Sequence, residues 1–504
     1  CVREREMDAV QMGSVAGVRF ISTRSVLHSR SIEDEQRKVH LNPWDLCYLS
    51  IHYIQKGLVF PKPPPREARE GGGGGGEQDM SEEEEEEEPD VVTLLRRSLV
   101  ATLDHFYPLC GRLASVENPE DGTASFFIDC GNQGAEFVHA EAAGVTVSDL
   151  LAPPFTPRVV RSFFPLNGAV SHDGHSLPLL AVQLTELRDG YFLGCSVNHS
   201  AADGTSFWHL LNSWSALARG GGIPLPPVAD HRWFPETLRP PIRLPIQLNH
   251  PESFIRRPLV SPELEDAVFH FPRQAIAALK AKANTELVEC SGGGEAATIS
   301  SLQALLAFVW RATTRARGLP PGHPTVYRVA IGLRQRLLRP TPPPPGYLGN
   351  MVRSVPVVST AGELLGLTLG QTAALLNRGI SALTDEAARR WAESWAADPV
   401  VVYADGMQTG VLITGSSPRF DVYGNDFGWG RPLAVRSGVG NKLDGMLTVY
   451  PASTTDGSMD LEMYLPPQVL RALMADHDFM SVASLQSAHF PSAAARGRRT
   501  LRPG

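Results

Sequence analysis

Tyr191–Trp214 reads YFLGCSVNHSAADGTSFWHLLNSW, and the spacing of its apolar residues changes halfway. Tyr191 to Val197 is a short apolar run that follows the turn residues Asp189-Gly190, as a buried strand does. From Thr205 the period lengthens. Phe207, Leu210, Leu211 and Trp214 fall at i, i+3, i+4 and i+7, one face of a helix. Between the two lies His199-Ser200-Ala201-Ala202-Asp203-Gly204. A strand that ends in histidine and turns into a helix places the imidazole at a sheet edge, where open sheets bind ligands. Histidine is also the side chain best suited to move a proton near neutral pH. Asp203 stands just before the helix opening at Gly204, where an aspartate caps backbone N–H groups. His199 is therefore the candidate general base. Asp203 is the candidate support that fixes the turn aiming it, through an arginine partner, with Gly204 at the helix start.

The same alternation of grammars runs outward in both directions. Leu180 to Leu184 pairs with the Tyr191 strand across the turn. Val18 to Thr23 alternates like a strand, His40 to Phe60 is amphipathic, and Val91 to Phe106 is a helix ended by Tyr107-Pro108. In the second half, Thr298 to Arg317 is a helix. Val326 to Ile331, Val411 to Thr414, Met446 to Tyr450 and Met459 to Tyr464 are strands, and Pro466 to Met474 is a closing helix. Helices and strands mixed in both halves make the class α/β or α+β, with two domains of similar size. The expected division is a leader at 1–16, a first domain at 17–218, a Pro- and Gly-rich crossover at 219–262, a second domain at 263–480 and a tail at 481–504.

Composition narrows the function. The chain has 504 residues and a formal net charge of −8, but the Gly- and Glu-rich segment 67–90 accounts for the excess of acid, and the remainder is nearly neutral. Self-repulsion should keep that segment extended, as a surface insertion that buries no core. No basic face stands out, so nucleic acid is not the expected partner. No window approaches the roughly 20 apolar residues of a membrane span. Six cysteines without CxxC spacing form neither a disulfide framework nor a zinc site, and reduced thiols in the cytoplasm are the simplest reading. No secretory signal is visible. His172, Asp173 and His175 make a short set of metal-ligand type, but in a Gly/Ser turn they are expected to be solvated, and no metal is expected.

A second motif lies more than two hundred residues downstream. Asp426-Phe427-Gly428-Trp429-Gly430 follows Tyr423-Gly424-Asn425. Gly428 and Gly430 allow a tight backbone path. Asp426 is expected to be a structural acid paired with an arginine, Arg334 or Arg336. Trp429, with one N–H and a flat apolar wall, is the candidate for contact with ligand or with a developing oxyanion. No Walker loop or dinucleotide fingerprint is present.

The two motifs, with Leu41-Asn42-Pro43-Trp44-Asp45-Leu46, Tyr107-Pro108-Leu109-Cys110-Gly111-Arg112-Leu113 and Gly346-Tyr347-Leu348-Gly349-Asn350, resemble the plant BAHD family of acyl-CoA-dependent acyltransferases over about residues 17–480. The stretches Gln55 to Phe60 and Asn198 to Trp214 look closest to a branch whose substrates are poorly defined. The resemblance implies two chloramphenicol-acetyltransferase-like domains with mixed sheets around a central solvent tunnel. It implies acyl-CoA as co-substrate with no permanently bound cofactor, and a small-molecule alcohol or amine as acceptor. His199 would be the base for direct attack on the thioester, and Asp426 would be structural. Two fused domains make a monomer sufficient. Two other classes stay open: a histidine-motif transferase using carrier-bound thioesters, and a catalytically inactive relative that binds a metabolite or a protein.

Overall fold

The computed structural model describes residues 17–62, 90–230, 234, 238, 241–257, 264–290, 297–337, 341–403, 409–440 and 442–486. The leader at 1–16, residues 67–89 of the insertion read at 67–90 and the tail beyond 486 lie outside the described residues; Asp90 caps the helix Val91–Leu103.

The fold is α/β, and its two halves are each built on a mixed sheet. The first sheet orders its strands Arg19–Val26, Ala135–Ala142, Leu180–Leu187, Gly190–Val197, Ile54–Pro61 and Ala434–Ser437. The second orders Val352–Thr360, Pro324–Gly332, Val411–Thr414, Met446–Pro451, Met459–Leu465, Glu265–Phe271 and Ser484–Leu485. Each sheet combines antiparallel hairpins with parallel crossovers. Ala135–Ala142 runs parallel to Leu180–Leu187, and Pro324–Gly332 runs parallel to Val411–Thr414. A third, three-stranded sheet (Lys38–His40, Thr123–Asp129, Arg112–Asn118) flanks the first half.

Helices bury the sheet faces. Val91–Leu103 lays Leu95, Leu99 and Leu103 into the core and meets Gly204–Ala218, where Trp214 Nε1 donates to Ser98 Oγ at 3.0 Å. Ser301–Arg317 is the central helix of the second half. Ser300 and Gln303 cap it reciprocally, and it ends on Gly318. Among the described residues the apolar side chains gather into two large clusters and a smaller one, the last with Val59, Ala140 and Phe192 of the first sheet.

Three features were not legible as a simple succession of elements. His40 to Phe60 is not one amphipathic element but a strand, the short helix Pro43–Leu46 and the strand Ile54–Pro61. Ala434–Ser437 leaves the second half of the chain and completes the first sheet, pairing with Lys56 to Val59. Ser484–Leu485, in the segment expected to be tail, adds an edge strand against His270 and Phe269. The strand Ala434–Ser437 therefore stitches the second half to the first, and the cavity described next lies where they meet.

Candidate active site

Strand Gly190–Val197 is buried along its whole length. At its end the chain is turned by Asn198, whose side chain accepts from Ser200 N at 2.9 Å and donates to the Ser171 carbonyl at 2.7 Å. That turn delivers His199 to the wall of a cavity of about 820 Å³. The first half contributes Tyr48, Ile54, Lys56, His199, Gly204 and Trp208 to the wall. The second half contributes Arg328, Arg353, Ile413, Thr414, Met446 and Tyr464, among others. The Tyr48 ring stacks on His199 with centroids 4.5 Å apart.

Burial pushes the His199 imidazole below its ordinary value of 6.5, against the opposing pull of Asp203 and the Asn350 amide. Asn350 Nδ2 donates to the His199 carbonyl at 2.7 Å and to Asp45 Oδ1 at 3.0 Å. His199 Nδ1 and Asn350 Oδ1 are both buried and neither has a hydrogen-bond partner in bonding geometry. Asp45 itself is fully enclosed and is pushed up to about 7 by burial, although it accepts from the Asn42 and Asn350 backbone N–H groups. Beneath the imidazole there is thus a polar layer contributed by segments some 300 residues apart.

Asp203 caps helix Gly204–Ala218, accepting from Ser206 N at 3.0 Å. Its carboxylate turns away from the cavity to meet Arg334 in a bidentate pair, 2.6 Å to Oδ2 and 3.1 Å to Oδ1. Met351 N also donates to it at 3.0 Å. Burial pushes Asp203 up, but the Arg334 charge and these donors outweigh it and leave the carboxyl below its ordinary value. The same Arg334 donates to Ser206 Oγ and to the carbonyls of Tyr347 and Gly349. Arg334 is therefore the partner of Asp203, Arg336 donates to the Ile380 and Leu383 carbonyls, and the expected pairing of Arg334 or Arg336 with Asp426 is corrected. One guanidinium joins the histidine loop to the Gly346–Asn350 segment.

Asp426 serves its own loop. Its Oδ1 accepts from Gly428 N at 2.8 Å and Gly430 N at 3.0 Å, and its carbonyl accepts from Arg219. Gly428 and Gly430 both have φ of 103°, a conformation that a residue with a Cβ adopts only under strain. Phe427 is fully buried between Trp214 and Phe60. Trp429, expected to contact ligand, stacks on Tyr191 with centroids 5.2 Å apart and is not part of the cavity wall. The loop anchors the approach of strand Ala434–Ser437 to the first sheet. Gly428→Ala is expected to destabilise the protein by about 1–3 kcal/mol. A Cβ there would meet no atom within 4 Å, so the cost is backbone strain alone. Urea unfolding of the variant against wild type measures it, and an unchanged midpoint contradicts it.

Several residues now at the site were not singled out in the sequence. Tyr48, Lys56, Asn350 and Arg353 reach it only through tertiary packing. Asn42-Pro43-Trp44-Asp45 does spell a capping box, an available sign of Asp45's local role, though not of its reach to Asn350. Cys195 is buried in the strand, and burial pushes its thiol up, consistent with a packing role. His172, Asp173 and His175 are not a solvated set. Asp173 pairs with Arg257 and the two rings pack 4.6 Å apart. Among the described residues no group of three His, Cys, Asp or Glu could hold a metal ion, and no helix is long and apolar enough to cross a membrane.

Comparison with known proteins agrees with this architecture. A model of the Transferase family matches residues 80–480. The chain is 39% identical over 472 residues to an uncharacterized acetyltransferase of Arabidopsis thaliana, covering 92% of this chain and 99% of that protein. It is 32% identical over 403 residues to a hydroxycinnamoyl-CoA:5-hydroxyanthranilate N-hydroxycinnamoyltransferase of Avena sativa, covering 76% of this chain and 85% of that one. The crystal structure of vinorine synthase superposes with a TM-score of 0.68 at 19% identity, over 93% of this chain and 100% of that one, a likeness of fold. The chain belongs to the Transferase family, the plant BAHD acyltransferases.

Proposed function

We propose that this protein transfers an acyl group from acyl-CoA to a hydroxyl or amine of a small-molecule acceptor, with His199 as general base. The observation that carries the proposal is the placement of His199 on the wall of the cavity between the two halves, while Asp203 faces Arg334 behind it. In the step proposed, His199 takes the proton of the acceptor O–H or N–H. The acceptor oxygen or nitrogen attacks the thioester carbonyl, the C–S bond of the tetrahedral intermediate breaks, and the imidazolium returns the proton to the CoA thiolate. No bond to the enzyme forms. Asp203 contributes geometry: its carboxylate is committed to Arg334, Ser206 N and Met351 N, which hold the turn that aims the ring. Asn350 holds the His199 backbone through its carbonyl.

The mechanism has a pH signature. A base must be neutral to accept a proton, and burial depresses the His199 value below 6.5. The kcat/KM of wild type, measured against pH with an active donor and acceptor pair, is therefore expected to rise through an acidic limb below pH 6.5. A limb centred above pH 7, or the same limb in His199→Ala, contradicts the assignment.

A further inference from the structure

The cavity wall carries charge of one sign. Lys56, Arg328 and Arg353 line it together with His199, and among the described residues no aspartate or glutamate does. Arg353 is turned toward Trp391, its guanidinium 4.1 Å from the ring centre. Lys56 is on another part of the wall, on strand Ile54–Pro61, between Cys195 on one neighbouring strand and Ser437 on the other. Its Nζ donates to Ser437 Oγ at 2.7 Å and lies 5.2 Å from the Tyr450 ring centre. An ammonium has three donors, and this one has no carboxylate bonded to it. The acid that most offsets its charge is Glu462, whose oxygens are taken up by Ser437 N at 3.0 Å and Ser437 Oγ at 2.6 Å. The other nearby lysine, Lys442, is already paired with Asp266 at 3.1 Å.

A second polar group opens on the same place. Tyr464 is fully buried and lines the cavity, and its hydroxyl makes no hydrogen bond in bonding geometry. It shares Glu462, Ser437 and Tyr450 as neighbours with Lys56. Lys56 is bonded to a serine oxygen and to no carboxylate, Glu462 offsetting its charge only from beyond Ser437, and the Tyr464 hydroxyl has no partner in bonding geometry; buried donors left so are costly. A single anion with two acceptor oxygens satisfies both. Burial pushes the Lys56 amine down to about 8, which keeps it largely charged at neutral pH. Its charge is also felt at His199, so a ligand seated on it lies within electrostatic reach of the base.

We propose that Lys56 and Tyr464, with Ser437 orienting the amine, form a carboxylate-binding subsite beside His199, so that one of the two substrates is an acid. The proposal rests on the assignment of the cavity as the substrate site and adds the substrate class. The carboxylate accepts from Lys56 Nζ–H and Tyr464 Oη–H. It belongs either to the acyl group, as in a dicarboxylic acyl-CoA, or to the acceptor, as in a hydroxy acid.

Binding, not turnover, tests it. Calorimetry on the full chain compares malonyl-CoA with acetyl-CoA, and 4-hydroxybenzoate with its methyl ester, for wild type, Lys56→Met and Tyr464→Phe. Wild type is expected to favour the acid in one of the two pairs by about tenfold or more. That gap is expected to close in Lys56→Met and to narrow in Tyr464→Phe, which removes one hydroxyl and nothing else. The pair in which it closes tells donor from acceptor. If neither acid outbinds its neutral partner in wild type, or the preference survives Lys56→Met in protein whose unfolding midpoint is unchanged, the proposal is overturned. If the preference behaves as expected but no acyl-CoA is consumed with any acceptor, the subsite stands and the proposed transfer fails.

Discussion

Arg334→Met is expected to destabilise the protein by about 3–5 kcal/mol, because it strands the Asp203 carboxylate in the interior without its counter-charge. The side chains of the pair are 13% and 4% exposed, so solvent does little to screen the loss. Three further acceptors lose a donor with it, Ser206 Oγ and the Tyr347 and Gly349 carbonyls. Two controls separate charge from packing. Arg334→Met with Asp203→Asn removes the stranded charge and is expected to recover part of the loss. The pH dependence works in the same direction. In wild type the Asp203 value is depressed, so its stabilisation is fully present above its unfolded value and is lost as pH falls through the lower folded one. In Arg334→Met burial acts on Asp203 without the Arg334 charge and raises its value, so protonation relieves the variant as pH falls towards 4 and the gap to wild type is expected to shrink. Urea unfolding at pH 7 and near pH 4 measures both. A single variant as stable as wild type at pH 7 contradicts the role given to the pair.

His199→Ala is expected to lower the rate of acyl transfer by about 10²–10⁴-fold, the usual contribution of a positioned general base. Folding should survive. The imidazole stands on a cavity wall and not in the packed core, and its main ring contact is the stack on Tyr48. The residues that hold the turn, Asn198, Asp203 and Arg334, do not depend on the ring. The distinguishing result is a large fall in kcat with an unfolding midpoint near that of wild type. A large fall in both gives His199 a structural role. Retention of rate shows that another group takes the proton.

The halves of the site differ in how far they could be read from the chain. The strand-to-helix change around His199 was legible because a short apolar run after a turn and a 3.6-residue period are local signals, and so was the capping position of Asp203. The arginine that holds Asp203 was not: Arg334 and Arg336 are two residues apart, and only the fold decides that Arg334 meets Asp203 while Arg336 donates to the Ile380 and Leu383 carbonyls. Asp426 was legible as a structural acid, but its partners are the backbone N–H groups of its own loop, a solution the two glycines permit. Trp429 was drawn toward the ligand by its chemistry and away from it by packing, since Tyr191 and Phe60 offer a flat apolar seat. Lys56 had no signal of its own. Alternation along Ile54–Pro61 places it on one face of the sheet, but only strand Ala434–Ser437, arriving from the far half of the chain, makes that face a cavity wall.

The central claim is that the cavity brings acyl-CoA and an acceptor together at His199. The most direct measurement is release of free CoA thiol by the purified full chain, with a panel of acyl-CoAs, in the presence and absence of a mixed pool of alcohols and amines, with products identified by mass. The account predicts thiol release that depends on acceptor, yields the matching ester or amide, and is lost in His199→Ala. Acceptor-independent release that persists in His199→Ala, or failure of any acyl-CoA to bind, contradicts it.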